Sequence, residues 1–370
     1  MSRFHKGASA AALLLVVALV AGACSSKKND SSSSSTTQGT ALTGAGATFP
    51  VPIYEKWFKD FRSVESGAKI NYQAIGSGGG VQQYTAGTVD FGASDAPLRD
   101  EEIQAIKDKG RDVVEVPTVL GGVVIAYHVS GLDTGLKLDG ATAAGIFLGT
   151  IKTWNDPAVA ALNAGLTLPA SPIQVVHRAD ESGTTKVFTS WLSAESPAWK
   201  SQVGADKAVQ WPVGTGGDGN DGVAAGISQT EGAVGYLSFD FAVNSGLGVA
   251  SIKRDSDGQF VAPSVDSISA AGGILKFPIT SDTNILNSTA PGAYPISTTT
   301  YLLINPSPKD KNKGQTLVDL LYWALTKGQD GVTTLNYSPL PNAIQQQALG
   351  LLDSVKFNGQ TIEPSPAVKG

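Results

Sequence analysis

Four segments of the chain combine small residues, hydroxyl groups and an arginine in a way that suits a small oxyanion. They are GAGATFP at residues 44–50, GSGGG at 76–80, GASDAP at 92–97 and RADESGTT at 178–185. The third segment ends a strand pattern, and each of the others leads into a helix pattern. A helix N-terminus offers unpaired N–H groups and partial positive charge, and glycine lets the backbone come close to a ligand. Several such segments converging, with the Arg178 guanidinium added, would bind a small oxyanion.

Each segment is a weak signal when it stands alone, because glycine turns and hydroxyl caps are common at helix starts. Other chemistries fit the sequence less well. The GAGATF segment has Phe49 where a dinucleotide fingerprint needs its third glycine, and no stretch reads as a P-loop. No GxSxG serine elbow is present. His128 and His177 are better interpreted as structural strand positions than as ligands.

Composition narrows the class of protein further. Of 370 residues, 41% are hydrophobic, 16% are charged and 43 are glycine, which favours a folded domain with many tight turns. The formal net charge of −5 argues against a nucleic-acid binder and, at face value, against an anion binder. A single cysteine excludes an intramolecular disulfide and a cysteine-cluster metal site.

The N-terminus has the pattern of a secretory signal peptide over residues 1–23. A basic start is followed by a short apolar run at 8–20 and by small residues up to Cys24. A cysteine at this position is typical of a bacterial lipoprotein signal, although Ala21 stands where a larger aliphatic residue is usual. We therefore expect Cys24 to be lipidated, with plain secretion as the alternative.

The serine-rich residues 24–40 predict a flexible tether between this anchor and the folded body. Cleavage before Cys24 would remove Arg3 and Lys6. The mature chain would then hold 25 basic and 32 acidic residues, a formal charge of −7.

The body, from residue 41 onward, alternates strand and helix patterns. Helices are predicted at 53–61, 81–86, 101–109, 185–192 and 315–326, and strands at 69–75, 89–93, 113–116, 123–127, 233–237 and 300–304. This alternation predicts an α/β architecture with mostly parallel sheets, and its length favours two lobes. The tryptophans at 154, 191, 199, 211 and 323 are predicted to pack in the core or between lobes.

The motifs also resemble a known family. Residues 43–50, 72–79, 89–98 and 178–184 closely resemble the PstS family, the phosphate-binding proteins of bacterial high-affinity phosphate ABC importers. The likeness continues through 117–124, 147–154, 214–222, 232–236 and 294–300. It implies a type II periplasmic-binding-protein-like fold whose two α/β lobes close around the ligand.

In this family the chain crosses between lobes twice. The crossings would fall near 123–127 and 295–299, so that lobe 1 comprises 41–124 plus 297–370 and lobe 2 comprises 125–296. The resemblance further implies a monomer outside the cytoplasm that delivers phosphate to a membrane permease, without catalysis, cofactor or metal.

The resemblance also assigns the phosphate contacts, motif by motif. They are Thr48, Phe49, Ser77, Asp95, Arg178, Ser182, Gly183 and Thr184, with Asp180 holding the Arg178 guanidinium and Ser94 in a supporting position. Two residues depart from the family pattern. Gly78 stands where a second serine is frequent, and Glu181 replaces a common glycine, which brings a negative charge near the anion unless it points to solvent.

Asp95 is the residue that would select the ligand. Phosphate near neutral pH still carries a proton that it can donate to a carboxylate, whereas sulfate carries none. A mispaired buried group costs on the order of 1–3 kcal/mol, so a carboxylate in this place would reject sulfate. The alternative is that Asp95 merely caps a turn.

The leading hypothesis is therefore capture of inorganic phosphate for an ABC importer. A receptor for sulfate, molybdate or an organic phosphate is the second hypothesis. An enzyme such as a phosphatase is disfavoured, because the sequence shows neither a metal cluster nor a nucleophile–base pair.

Overall fold

The computed structural model of the chain describes residues 40–132, 134–278, 280 and 285–369. The predicted signal peptide, the predicted lipid attachment at Cys24 and nearly all of the predicted tether lie outside the described residues. None of the described helices is long and apolar enough to cross a membrane.

Strands and helices alternate along the chain, as the sequence pattern predicts. The strands are β1 Ala41–Gly46, β2 Lys69–Ala74, β3 Phe91–Ser94, β4 Val114–His128, β5 Lys137–Leu138, β6 Gln174–Arg178, β7 Thr215–Gly217, β8 Ala233–Ser238, β9 Gly248–Val249, β10 Ser251–Lys253, β11 Phe260–Val261, β12 Ser297–Ile304, β13 Lys356–Phe357 and β14 Gln360–Thr361. The helices are α1 Val51–Phe61, α2 Gly76–Ala86, α3 Asp100–Asp108, α4 Gly140–Phe147, α5 Pro157–Leu162, α6 Gly183–Glu195, α7 Pro197–Gln202, α8 Gly219–Ser228, α9 Phe239–Asn244, α10 Val265–Gly272, α11 Lys311–Leu325, α12 Asn342–Leu351 and α13 Pro366–Lys369. Two 3-10 helices cover Lys327–Leu335 and Leu352–Ser354.

The principal sheet is mixed. Its strand order is β2-β1-β3-β12-β4-β8-β6-β7, with β9 also paired to β4. The outer groups β2-β1-β3 and β8-β6-β7 are parallel, as the sequence predicts. The two central strands β12 and β4 run antiparallel to their neighbours, which the sequence pattern does not reveal.

One long strand joins the two halves of this sheet. β4 pairs with β12 from Val114 to Gly122 and with β8 from Val123 to His128. The prediction of two short strands at 113–116 and 123–127 is wrong, because the strand continues through Gly121 and Gly122. A Cβ atom at Gly121 would lie 2.3 Å from the ring of Phe49, so glycine is needed here for packing and does not mark a turn.

The segment GSGGG lies inside a helix rather than ahead of it. α2 begins at Gly76, five residues before the predicted start, so GSGGG forms its first turns. A Cβ atom at Gly80 would lie 2.5 Å from the Cα atom of Gly46, which shows why small residues bring α2 so close to β1. α6 begins at Gly183, with the Ser182 hydroxyl accepting the Thr185 N–H over 3.1 Å as an N-cap.

Aromatic side chains fill the core on both sides of the sheet. Trp154, Trp191 and Trp199 are fully buried, in agreement with the packing role predicted for them. Trp211 is only partly buried and stacks on the His177 ring, with ring centroids 5.0 Å apart. This stacking gives His177 a structural role at the end of β6.

Candidate anion-binding site

Four helix N-termini converge at the carboxyl ends of the parallel strands β1, β2, β6 and β7. We call the residues Thr48, Phe49, Ser77 and Asp95, with the starts of α1 and α2, the first wall. We call residues 178–184, with the starts of α6 and α8, the second wall. Each helix start turns N–H groups and partial positive charge toward the same place. The four segments singled out in the sequence therefore form one site.

Arg178 anchors the second wall. It is the last residue of β6 and only 3% of it is exposed. Its Nε and Nη2 atoms donate to the two carboxylate oxygens of Asp180 over 2.7 and 2.5 Å, and Nη1 donates to the Thr184 hydroxyl over 3.3 Å. Burial acts to raise the pKa of Asp180, but the hydrogen bonds and charge of Arg178 outweigh it and hold that pKa below its usual value. The predicted role of Asp180 thus matches its contacts.

Asp95 is the acidic group of the first wall. It follows β3, is 1% exposed, and accepts hydrogen bonds from the Thr300 hydroxyl over 3.0 Å and the Thr184 hydroxyl over 3.5 Å. Burial raises its pKa to about 7, against the opposing effects of the Thr300 hydrogen bond and the Arg178 charge. Asp95 is therefore a buried carboxyl poised between its two protonation states, and it is more than a turn cap.

Ser77 joins the two walls. Its hydroxyl oxygen accepts the N–H of Asp95 over 3.2 Å and the N–H of Gly183 over 3.1 Å. A Cβ atom at Gly183 would lie 2.5 Å from Ser77 Oγ, so only glycine permits this approach. Both lone pairs of the hydroxyl are thereby occupied. None of the described residues accepts its proton, which can therefore be donated to a ligand.

Thr48 and Phe49 lie just before α1. Thr48 Oγ1 accepts two hydrogen bonds from Asn220, one from the backbone N–H at 3.2 Å and one from the side-chain amide at 2.7 Å. The Phe49 carbonyl accepts the hydroxyl of Tyr337 over 2.6 Å. Among the residues that the structure describes, the Phe49 N–H has no acceptor. This amide is thus available to a ligand.

Two serines near the site differ in the contacts of their hydroxyl groups. Ser182 Oγ accepts the Thr185 N–H, as described above, and its proton has no acceptor in the part of the chain that the structure describes. Ser94 Oγ donates to the Ala96 carbonyl over 2.6 Å and accepts the Ala96 N–H over 3.3 Å. The hydroxyl of Ser94 therefore holds the turn at Ala96, and its supporting position at the site stays a prediction.

Known proteins share this architecture. A family model described as a PBP superfamily domain matches residues 30–327. The phosphate-binding protein PstS of Haemophilus influenzae is 42% identical over 307 residues, which cover 82% of this chain and 90% of that protein. The chain belongs to the PstS family. The protein of the same name from Pasteurella multocida is 40% identical over 314 residues, which cover 84% of this chain and 89% of that protein.

Solved structures agree on the fold of this PstS-family chain. A phosphate-binding protein from Stenotrophomonas maltophilia matches with a TM-score of 0.65 at 19% identity, over 84% of this chain and 93% of that chain. A human phosphate binding apolipoprotein matches with a TM-score of 0.69 at 21% identity, over 88% of this chain and 100% of that chain. The predicted two-lobed periplasmic-binding-protein-like fold is confirmed.

Sequence reasoning missed three polar residues that the fold brings to this site. Asn220 contacts Thr48 from the start of α8, Thr300 contacts Asp95 from β12, and the Tyr236 hydroxyl accepts the Arg178 backbone N–H over 3.1 Å. Only Asn220 carried a local signal, because the segment TGGDGNDG also places glycines ahead of a helix. The other two are internal strand residues, which local patterns do not distinguish from core positions.

Gly78 and Glu181, the two residues that depart from the family pattern, contact each other across the two walls. The Gly78 N–H donates to the Glu181 carbonyl over 2.9 Å, and a Cβ atom at Gly78 would lie 2.3 Å from Glu181 Cβ. The Glu181 side chain is exposed and accepts a hydrogen bond from Gln82 over 3.2 Å. The absent side chain at 78 thus makes room for the one at 181, and the carboxylate lies at the solvent edge of the walls.

We expect Gly78→Ser to weaken anion binding about tenfold, although it adds a hydroxyl near the site. The new Cβ would collide with the Cβ of Glu181 when the walls meet, and overpacking of this kind costs roughly 1–3 kcal/mol. Gly78→Ser combined with Glu181→Gly should recover most of the loss. Calorimetric titration of both variants measures the effect, with Gly350→Ser as a control, since a Cβ there meets nothing within 4 Å. Unchanged binding by the single variant would contradict the pairing.

Proposed function

We propose that this chain captures inorganic phosphate outside the cytoplasm and delivers it to the permease of an ABC importer. Membership of the PstS family supports the proposal, since this is a family of substrate-binding proteins and not of enzymes. Both relatives described above are named phosphate-binding proteins. No covalent step is part of the proposed function.

The observation that carries the proposal is the balance of donors and acceptors between the walls. Arg178, the unspent hydroxyl protons of Ser77 and Ser182, and the free N–H of Phe49 are all donors, whereas Asp95 is an acceptor. Such a set suits an oxyanion that carries many lone pairs and one proton, as phosphate does near neutral pH. These donors lie in the two walls themselves, so anion binding at the site does not depend on the net charge of −5 of the whole chain.

We further propose that the site opens and closes between lobe 1 (41–124 plus 297–370) and lobe 2 (125–296). The change of partner in β4 between Gly122 and Val123 supports a hinge there, close to the start of β12. Two ion pairs between side chains outside the two walls cross the same boundary. They are Arg99 with Asp206 at 3.1 Å and Lys207 with Glu102 at 2.5 Å. These pairs would form on closure and separate on opening.

The attachment to the membrane is also a proposal. It relies on the signal pattern over 1–23 and on Cys24 as the only cysteine of the chain. A tether over 24–40 would let a monomeric binding domain reach the permease from a lipid anchor.

Isothermal titration of the purified mature chain with phosphate tests the proposed function. We expect one phosphate per chain with a Kd in the micromolar range or tighter, and binding of sulfate at least roughly a hundredfold weaker. Molybdate and an organic phosphate ester complete the panel as competitors. Equal affinity for sulfate, or no binding of phosphate, would overturn the proposal.

A further inference from the structure

A side chain outside the predicted contact set controls one of the hydroxyl groups of the site. Asn220 lies in the first turn of α8, in the proposed lobe 2, and is fully buried. It reaches across to Thr48, in the proposed lobe 1, and donates two hydrogen bonds to its hydroxyl oxygen. Thr48 belongs to the first wall and Asn220 to the second, so their contact depends on the two walls meeting.

The orientation of the Asn220 amide is fixed by a third contact. Its Oδ1 atom accepts the backbone N–H of Ser238 over 2.9 Å. Because a main-chain N–H can only donate, the oxygen of the amide must face Ser238 and its NH₂ group must face Thr48. Asn220 therefore acts as a donor to Thr48 and not as an acceptor.

These contacts determine where the hydroxyl proton of Thr48 can be donated. A hydroxyl group has two lone pairs and one proton, and here both lone pairs are occupied by donors from Asn220. Within the described residues, no acceptor for this proton is present. Thr48 is 7% exposed, so bulk water is largely excluded from it. The proton is left for an anion between the walls.

We infer that Asn220 is a positioning residue, which makes the Thr48 hydroxyl an obligate donor to the bound anion when the lobes close. The inference rests on the proposed function and deepens it, since it adds a residue that couples closure to ligand binding. With the lobes apart, Thr48 would be free to point its proton elsewhere. With the lobes together, Asn220 removes that freedom before the anion is bound.

A double-mutant cycle in phosphate affinity tests this inference. Asn220→Ala should weaken phosphate binding by roughly tenfold, and Thr48→Val, which removes the hydroxyl, by a similar factor. In the Thr48→Val background, Asn220→Ala should change the Kd by less than about threefold or partly restore it, because the amide no longer has a hydroxyl to orient. A purely structural role for Asn220 would give the same loss in both backgrounds.

A matched control variant and a replacement for Asn220→Ala complete the double-mutant cycle. Asn163 is another buried asparagine with amide hydrogen bonds to backbone, and Asn163→Ala should leave the phosphate Kd within about threefold. If Asn220→Ala does not fold, Asn220→Asp replaces it in the cycle, since a carboxylate still accepts the Ser238 N–H but cannot donate to Thr48. The effect of its charge is common to both backgrounds and cancels.

Failure of the inference is distinct from failure of the proposed function. Phosphate binding by the wild-type chain, combined with additive losses in the cycle, would overturn the role of Asn220 alone. If the wild-type chain binds sulfate or molybdate instead of phosphate, the cycle is measured with that anion and judged in the same way. No binding of any of the three anions would overturn both.

Discussion

Replacing Arg178 by alanine is expected to weaken phosphate binding by about 10²- to 10³-fold or more. Arg178 is buried, and its guanidinium is the only positive charge that the structure shows in contact with Asp180 and Thr184. Removing one partner of a buried ion pair costs roughly 3–5 kcal/mol, because the other charge is left without compensation. In this variant the anion would meet two carboxylates, Asp95 and Asp180, without a counter-charge. Calorimetric titration with phosphate measures the loss.

Related substitutions separate the charge of Arg178 from its shape. Arg178→Lys keeps the charge but cannot hold both oxygens of Asp180 and still reach Thr184, so we expect an intermediate Kd. The double variant Arg178→Ala with Asp180→Asn removes both halves of the ion pair. Compared with Arg178→Ala alone, it should regain more of the free energy of unfolding than of the affinity for phosphate. Arg254→Ala is the control, because Arg254 is also buried and ion-paired in residues 125–296. An Arg178→Ala variant that binds phosphate within threefold of wild type would remove this residue from the site.

The parts of the site that were predictable are those encoded within a few residues. Ser182 and Thr185 stand at cap spacing, and glycines beside hydroxyls mark the first turns of α2 and α6. Arg178 and Asp180 are two residues apart, so their pairing needs no tertiary information. These local signals identified both walls.

Contacts between distant residues could not be predicted in this way. Thr300 lies 205 positions from Asp95, and only the antiparallel placement of β12 beside β3 brings them together. The contact of Asn220 with Thr48 likewise needs α8 to reach the opposite wall. The hydrophobic periodicity of the sequence does not indicate which strands become neighbours. Contacts between such distant residues can therefore be identified only from the fold.

The predicted boundaries of α2 and β4 are wrong because both elements contain glycines. Its low helix propensity places GSGGG outside a helix, and its presence at Gly121 and Gly122 suggests a break between strands. In the fold, close packing against Gly46, Phe49 and Ile268 requires these small residues. Tertiary contact therefore outweighs local propensity at these glycines.

Replacing Asp95 by asparagine is expected to change which anion is bound more than how tightly phosphate is held. An asparagine amide can donate to sulfate, whereas the ionised carboxylate of Asp95 repels it and finds no proton to accept. A mispaired buried group costs roughly 1–3 kcal/mol, so the preference for phosphate over sulfate should fall by about 10- to 100-fold. Titration of the same protein with each anion gives this ratio directly.

The pH dependence of sulfate binding supplies a second measure of the same residue. Burial raises the pKa of Asp95 to about 7, so this group is ionised above that pH and protonated below it. A protonated Asp95 can donate to sulfate. Sulfate affinity should therefore rise by about tenfold for each pH unit as the pH falls toward 7, and level off below it. In Asp95→Asn the sulfate affinity should not follow this curve, since the titrating group is gone.

A buried acid away from the walls provides the control for both measurements. Asp319 is 1% exposed and accepts hydrogen bonds from the Ser365 N–H and from Gln315. Asp319→Asn should leave the ratio of phosphate to sulfate affinity unchanged at every pH. If Asp95→Asn also leaves that ratio unchanged, then rejection of sulfate comes from the geometry of the donors. In that case Asp95 would serve only to hold Thr184 and Thr300 in place.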